Sequence, residues 1–98
     1  NFYKILILEK KEFVMSKQVL RSGTSVGAMI REAEFAQSKA DFVNKMSIAL
    51  KEASETDYWL SLLSETKYIN KMMHKSLEDE CLELIKMLVS SIKTSKSI

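Results

Sequence analysis

No proline interrupts the chain, and glycine occurs only twice, at Gly23 and Gly27. An all-β fold of 98 residues would need many tight turns of the kind those two residues supply. The composition therefore points to helices. A single cysteine, Cys81, excludes an internal disulfide framework and suits a reducing compartment. With His74 as the one histidine, a tetrahedral zinc site cannot be assembled without borrowed carboxylates or a second chain. There is no strong charge of one sign: fifteen Lys and Arg stand against thirteen Asp and Glu, a net of +2. No segment approaches the roughly 20 consecutive apolar residues of a membrane span. The short run Phe2 to Leu8 contains Lys4 and is followed by Glu9-Lys10-Lys11-Glu12, not by a small-residue cleavage site. These absences lead to the expectation of a cytoplasmic protein that does not enter a membrane. The chain begins at Asn1, so the first helix is expected to lack some of its native N-terminal residues.

What is present is 46% apolar and 29% charged residues, a normal balance for one folded domain. Charge is distributed unevenly. Residues 1–49 hold eight basic and five acidic side chains (+3), and residues 50–98 hold seven and eight (−1).

The spacing predicts helices throughout. Residues 1–10 read as a first helix, with a bend near Lys10 to Glu12. From Phe13 to Gln37, Val19, Val26, Ile30, Ala33 and Gln37 recur at helical steps. Ser22-Gly23-Thr24-Ser25 contains weak helix formers, each Gly costing about 1 kcal/mol relative to Ala. A continuous helix is nonetheless favoured, with Gly23 and Gly27 permitting close packing of a neighbour at i, i+4. Ser38 reads as an N-cap, with Asp41 three residues on. Phe42, Met46, Ala49, Ala53, Thr56, Leu60 and Leu63 then form an unbroken heptad seam. A polar connection is expected over about residues 66–74, and a last helix capped at Ser76. Its stripe is Leu77, Cys81, Leu84, Leu88 and Ile92, with Glu78, Asp79 and Glu80 in the first turn. The expectation is all-α: an antiparallel up-down-up-down four-helix bundle spanning residues 1–98 as a single domain. Ile48, Trp59 and Leu62 make a second stripe on the third of these helices, with Tyr58 beside it. That surplus apolar surface predicts self-association.

No residue set amounts to an active site, and no catalytic residue, metal, cofactor or small-molecule substrate is assigned. Glu52 and Glu55, with Glu32 facing them, carry the bare outline of a carboxylate metal site. No Glu-x-x-His accompanies them, and partnership with Arg21 or Arg31 is the simpler reading. Cys81 on an apolar stripe lacks the exposure of a nucleophile. His74 has Lys67, Lys71 and Lys75 nearby in sequence and no acidic neighbour to orient it. The remaining candidate is a basic row on the second predicted helix, Lys17, Arg21, Thr24, Ala28 and Arg31, extended by Lys10, Lys11, Lys39 and Lys45. Such a row could follow phosphates, or form an ordinary wet face. The six methionines read as gap-filling core residues.

Three stretches carry a family resemblance. Arg21-Ser22-Gly23-Thr24-Ser25-Val26-Gly27-Ala28-Met29-Ile30-Arg31-Glu32-Ala33, then Asp41-Phe42, then Ala49-Leu50-Lys51-Glu52-Ala53-Ser54-Glu55-Thr56, resemble the four-helix-bundle proteins encoded within intervening sequences of bacterial 23S rRNA genes. The resemblance covers residues 10–64 strongly and the last helix weakly. It departs from the family pattern at Met29, where an Asn usually stands. The resemblance implies a bacterial, cytoplasmic homopentamer whose activity is binding and not catalysis. Relatives of similar fold are accessory proteins of diversity-generating retroelements that bind RNA and a polymerase. It further implies that Arg21, Ser25, Glu32, Glu52, Glu55 and Thr56 belong to a structural polar network. Two functional classes result: a protein binding RNA or an RNA–protein complex through its basic surface, and a purely structural or protein-interaction module.

Overall fold

Helix α1 runs without a break from Phe2 to Glu34, about 50 Å of rod at 1.5 Å per residue. It is followed by α2 (Lys39–Glu65) and α3 (Lys71–Ser97). The computed structural model describes the backbone of residues 2–97 and the side chains of residues 13–97. Among these residues the architecture is all-α with three helices, not the four expected. The first two predicted helices are one. No proline stands near Lys10 to Glu12, and four consecutive charges do not by themselves stop a helix. The weak stretch at Ser22 to Ser25 is carried through because its hydroxyls bond back to the helix. Ser22 Oγ donates to the Gln18 carbonyl (2.9 Å) and Thr24 Oγ1 to the Leu20 carbonyl (2.7 Å).

The turn from α1 to α2 is pinned at several points. The Phe35 amide donates to the Glu32 carbonyl (3.2 Å) and that of Ala36 to Ala33 (3.1 Å). Ser38 is extended (φ −154°, ψ 164°), and its hydroxyl accepts the Asp41 amide at 3.0 Å, the N-cap expected from the sequence. In return the Asp41 carboxylate accepts the Gln37 amide (3.4 Å).

Helix α2 ends in a way the sequence hides. Lys67 takes the left-handed conformation (φ 64°) usually given to glycine. Its amide donates to the Ser64 carbonyl and that of Tyr68 to Leu63, both at 3.0 Å, the pair of bonds of a Schellman stop. Three residues later Asn70 caps α3, its Oδ1 accepting the Met73 amide (2.7 Å). The connection is therefore residues 66–70, and the cap lies at Asn70 instead of Ser76. Lys67→Gly is expected to raise stability by about 1 kcal/mol by removing the Cβ strain of that conformation. A thermal melt showing no gain would mean that the Lys67 side chain contributes something a turn residue does not.

Helix α2 packs against both neighbours, whereas among the described residues no Cα of α1 comes within 8 Å of a Cα of α3. Side by side, the three give Cα dimensions of 59 × 23 × 13 Å. The expected heptad seam is the spine of this layer: Met46, Ala49, Ala53, Leu60 and Leu63 are buried. Ala49 and Ala53 let Val26 and Ala33 approach from α1 and Leu88 and Ile92 from α3, forming one apolar cluster. Met29, at the position where the resemblance places an Asn, is partly buried against that cluster, so no amide is needed there.

Candidate nucleic-acid interface

Polar residues along the α1–α2 seam fix the register of the two antiparallel helices. The Thr56 hydroxyl donates to Ser22 Oγ (2.7 Å), and Ser22 is fully buried. Arg21 Nη2 donates to Glu55 Oε1 at 2.8 Å, while Arg21 Nε donates to Gln18 Oε1 (3.1 Å). Trp59 Nε1 reaches the same Glu55 oxygen at 3.5 Å. Burial makes the hydroxyl pair costly to break. The half-exposed ion pair is worth less, because water competes for both ends.

Of the six residues expected in a polar network, the structure brings Arg21, Glu55 and Thr56 together. Ser25 lies half-buried on α1 and takes no part in these bonds. Glu32 lies near the other end of α1, 3.6 Å from Lys45 Nζ. Glu52 keeps a buried Oε2 with no hydrogen-bond partner. Two members that sequence reasoning missed are Ser22 and Gln18. Ser22 sat inside the weak Ser-Gly-Thr-Ser stretch, where a serine reads as a helix flaw and not as a contact.

The basic candidates divide by partner. Lys17, Arg31 and Lys39 are exposed and carry no ion pair among the described residues. Arg21 and Lys45 are each tied to a glutamate. The side chains of Lys10 and Lys11 lie outside those described. Thr24 and Ala28 are exposed on the same face as Lys17 and Arg31, so the row lies along the open side of α1.

On α2, Ile48 and Tyr58 are exposed, and Trp59 and Leu62 are half-buried. Tyr58 and Trp59 meet edge to face, with ring centroids 5.2 Å apart. Between α1 and α3, above α2, runs an apolar groove of about 430 Å³ lined by Val19, Gly23, Gly27, Ile30, Leu77 and Leu84 among others. Nothing lies within 4 Å of a Cβ built on Gly23 or Gly27. The close helix approach expected at these glycines is absent; they open the groove instead. A second depression of about 520 Å³ lies at the α1–α2 turn, lined by Ala28, Arg31, Glu32, Phe35, Gln37, Asp41 and Lys45.

Cys81 is buried on α3, its thiol donating to the Ala53 carbonyl at 3.2 Å. Desolvation pushes the thiol pKa up, and the carboxylates of Asp57 and Glu78 add to the rise. The unfolded chain therefore loses this proton at lower pH than the native one. Its contribution to stability is complete below the ordinary thiol range and declines as pH rises through it. Cys81→Ala is expected to flatten the alkaline limb of a stability-versus-pH curve. An unchanged limb would refute that linkage. His74 proves to have an acidic neighbour after all: Glu78, one turn on, at 3.5 Å from its Nε2. Among the described residues no group of three or more His, Cys, Asp or Glu could hold a metal ion. Nor is any described helix long and apolar enough to cross a membrane.

Comparison with known proteins gives a consistent picture. The family model described as 23S rRNA-intervening sequence protein matches residues 1–90. A solved crystal structure of a protein of unknown function from the S23 ribosomal protein family of Bacteroides thetaiotaomicron VPI-5482 is 61% identical. The match covers 95% of this chain and 86% of that one, with a TM-score of 0.83. No curated protein matches the chain.

Proposed function

Since the chain belongs to the 23S rRNA-intervening sequence protein family, we propose that it is a non-enzymatic, self-associating helical protein that binds RNA or an RNA–protein complex. The observation that carries the reading is the row of exposed cations on the open side of α1 and at its turn. Lys17, Arg31 and Lys39 are committed to no carboxylate among the described residues and are free to meet phosphates. Kinship with the accessory proteins of diversity-generating retroelements would make the partner a ribonucleoprotein. Self-association, as a pentamer, would cover the apolar residues Ile48, Tyr58, Trp59 and Leu62 on α2 and leave the α1 face outward.

Retention on immobilised single-stranded RNA tests the reading. Binding is expected to weaken steeply with salt, with a log–log slope of about −2 per chain if three cations each release a counterion. Binding that is undetectable, or indifferent to salt, would remove it. Light scattering in the same buffers reads the assembly, and a monomer at dilute concentration would end the oligomeric part. The second reading, a protein-interaction module without nucleic acid, draws on the exposed apolar side chains of all three helices, Phe13, Tyr58 and Met72 among them. A protein partner recovered after nuclease treatment, with no RNA retention, would favour it.

A further inference from the structure

The depression at the α1–α2 turn differs in chemistry from the rest of the basic face. Phe35 is 75% exposed there, although the backbone beneath it is hydrogen-bonded. Bonds from the Phe35, Ala36 and Gln37 amides, together with the Ser38 cap, hold the turn that carries the ring. Arg31, four residues before Phe35, lines the same cleft without an ion pair among the described residues. The other charged groups facing the cleft each hold one contact, which leaves one oxygen of either carboxylate open. Lys45 lies 3.6 Å from Glu32, and Asp41 accepts the Gln37 amide. Two cations and two anions leave the cleft near neutral, so it is a poor trap for a phosphate alone. It offers instead a flat apolar ring, a guanidinium, an amide side chain and two carboxylates able to accept from amino groups. Its volume of about 520 Å³ suits a single nucleotide.

We infer that this cleft takes one unpaired nucleotide of a single-stranded RNA, the base stacked on Phe35 and the adjoining phosphate met by Arg31. The inference rests on the RNA-binding reading above and adds what that face recognises. A base in a duplex keeps its π-face buried against its neighbours and cannot reach the ring. An unpaired base can, and aromatic stacking tolerates any base identity. Because stacking is not ionic, this contribution is insensitive to salt, unlike that of the cation row.

The test uses the full chain with a labelled single-stranded octa-adenylate and an RNA duplex of similar length. Phe35→Ala is expected to weaken single-strand binding about tenfold, equally at low and high salt, and to leave duplex binding unchanged. Phe35→Tyr is expected to keep the affinity of the parent chain. Adenosine monophosphate should displace the strand only at far higher concentration. Equal losses for strand and duplex, or no loss for either, would overturn the inference. If Phe35→Ala had no effect but substitution of Lys17 and Arg31 still abolished binding, the broader reading would survive without this subsite. Absence of RNA binding by the parent chain would remove both. A change in assembly mass caused by Phe35→Ala would assign the ring to contact between copies and overturn the subsite. Displacement by the mononucleotide at equal concentration would make the cleft a free-nucleotide site and would also overturn it.

Discussion

A chain carrying Lys17→Glu, Arg31→Glu and Lys39→Glu is expected to lose RNA affinity by about 100-fold or more, since charge-assisted contacts contribute roughly 1.5–3 kcal/mol each. None of the three holds an ion pair among the described residues, so the helices should be undisturbed. Circular dichroism and the melting midpoint are the controls. Each reversal subtracts two charges, taking the chain from +2 to −4, and a general loss of attraction must be separated from a local one. Lys86→Glu, Lys93→Glu and Lys96→Glu supply that comparison. These residues are exposed on α3, and their reversal changes the net charge by the same amount. The α3 variant is expected to bind several-fold more weakly than the parent and far better than the α1 variant. Equal losses from the two would show that no particular face carries the interaction.

Leu88→Ala is expected to be the most damaging single truncation, costing about 3 kcal/mol in urea unfolding at fixed protein concentration. Leu88 is 0% exposed and comes from α3 into the space left by Ala49 and Ala53 on α2. Those alanines cannot move in to fill a hole, because the backbones of α2 and α3 set their positions. A cavity therefore persists after truncation. Leu82→Ala, on the same helix but exposed, should cost less than about 0.5 kcal/mol. If both variants unfolded at the same midpoint, the cluster around Ala49 would not be the centre of stability.

The parts of this fold legible from sequence are those governed by short periodic rules. The α2 spine was readable because an apolar residue or Thr56 recurs every three or four positions for three heptads. Its start was readable because Ser38 caps the Asp41 amide, three residues on, through a purely local contact. The turn after α2 was harder. Its stop is made by Lys67 in a conformation for which glycine is the usual signal, and its next cap, Asn70, is followed by Lys71, Met72 and Met73. No acidic residue strengthens the first turn of α3, so the richer Ser76-Leu77-Glu78-Asp79 drew the boundary six residues too late. The division of α1 into two helices failed for the opposite reason: four consecutive charges cannot all avoid a core, which suggests a bend, yet nothing in that run opposes helical backbone.

The site was less legible than the fold. Which basic side chain is free and which is paired depends on partners far apart in sequence, such as Arg21 with Glu55 and Glu32 with Lys45. Such pairs follow from the register of two helices, not from spacing along one. Phe35 is the clearest case. A lone phenylalanine at the end of an amphipathic segment looks like one more core residue until the turn that lifts it into solvent has been located.

The layered arrangement, with α2 touching both flanking helices and α1 remote from α3, has a bearing on how the chain is made. Among the described residues tertiary pairing joins elements that are neighbours in sequence, so little chain entropy is lost in bringing them together, and folding should be rapid. The Ser22–Thr56 and Arg21–Glu55 links lie wholly within the α1–α2 hairpin, whose residues are synthesised ahead of α3. The cation row and the Phe35 cleft are built wholly from that hairpin. The surface proposed to meet RNA therefore needs no residue of α3, and is specified by the first two thirds of the chain.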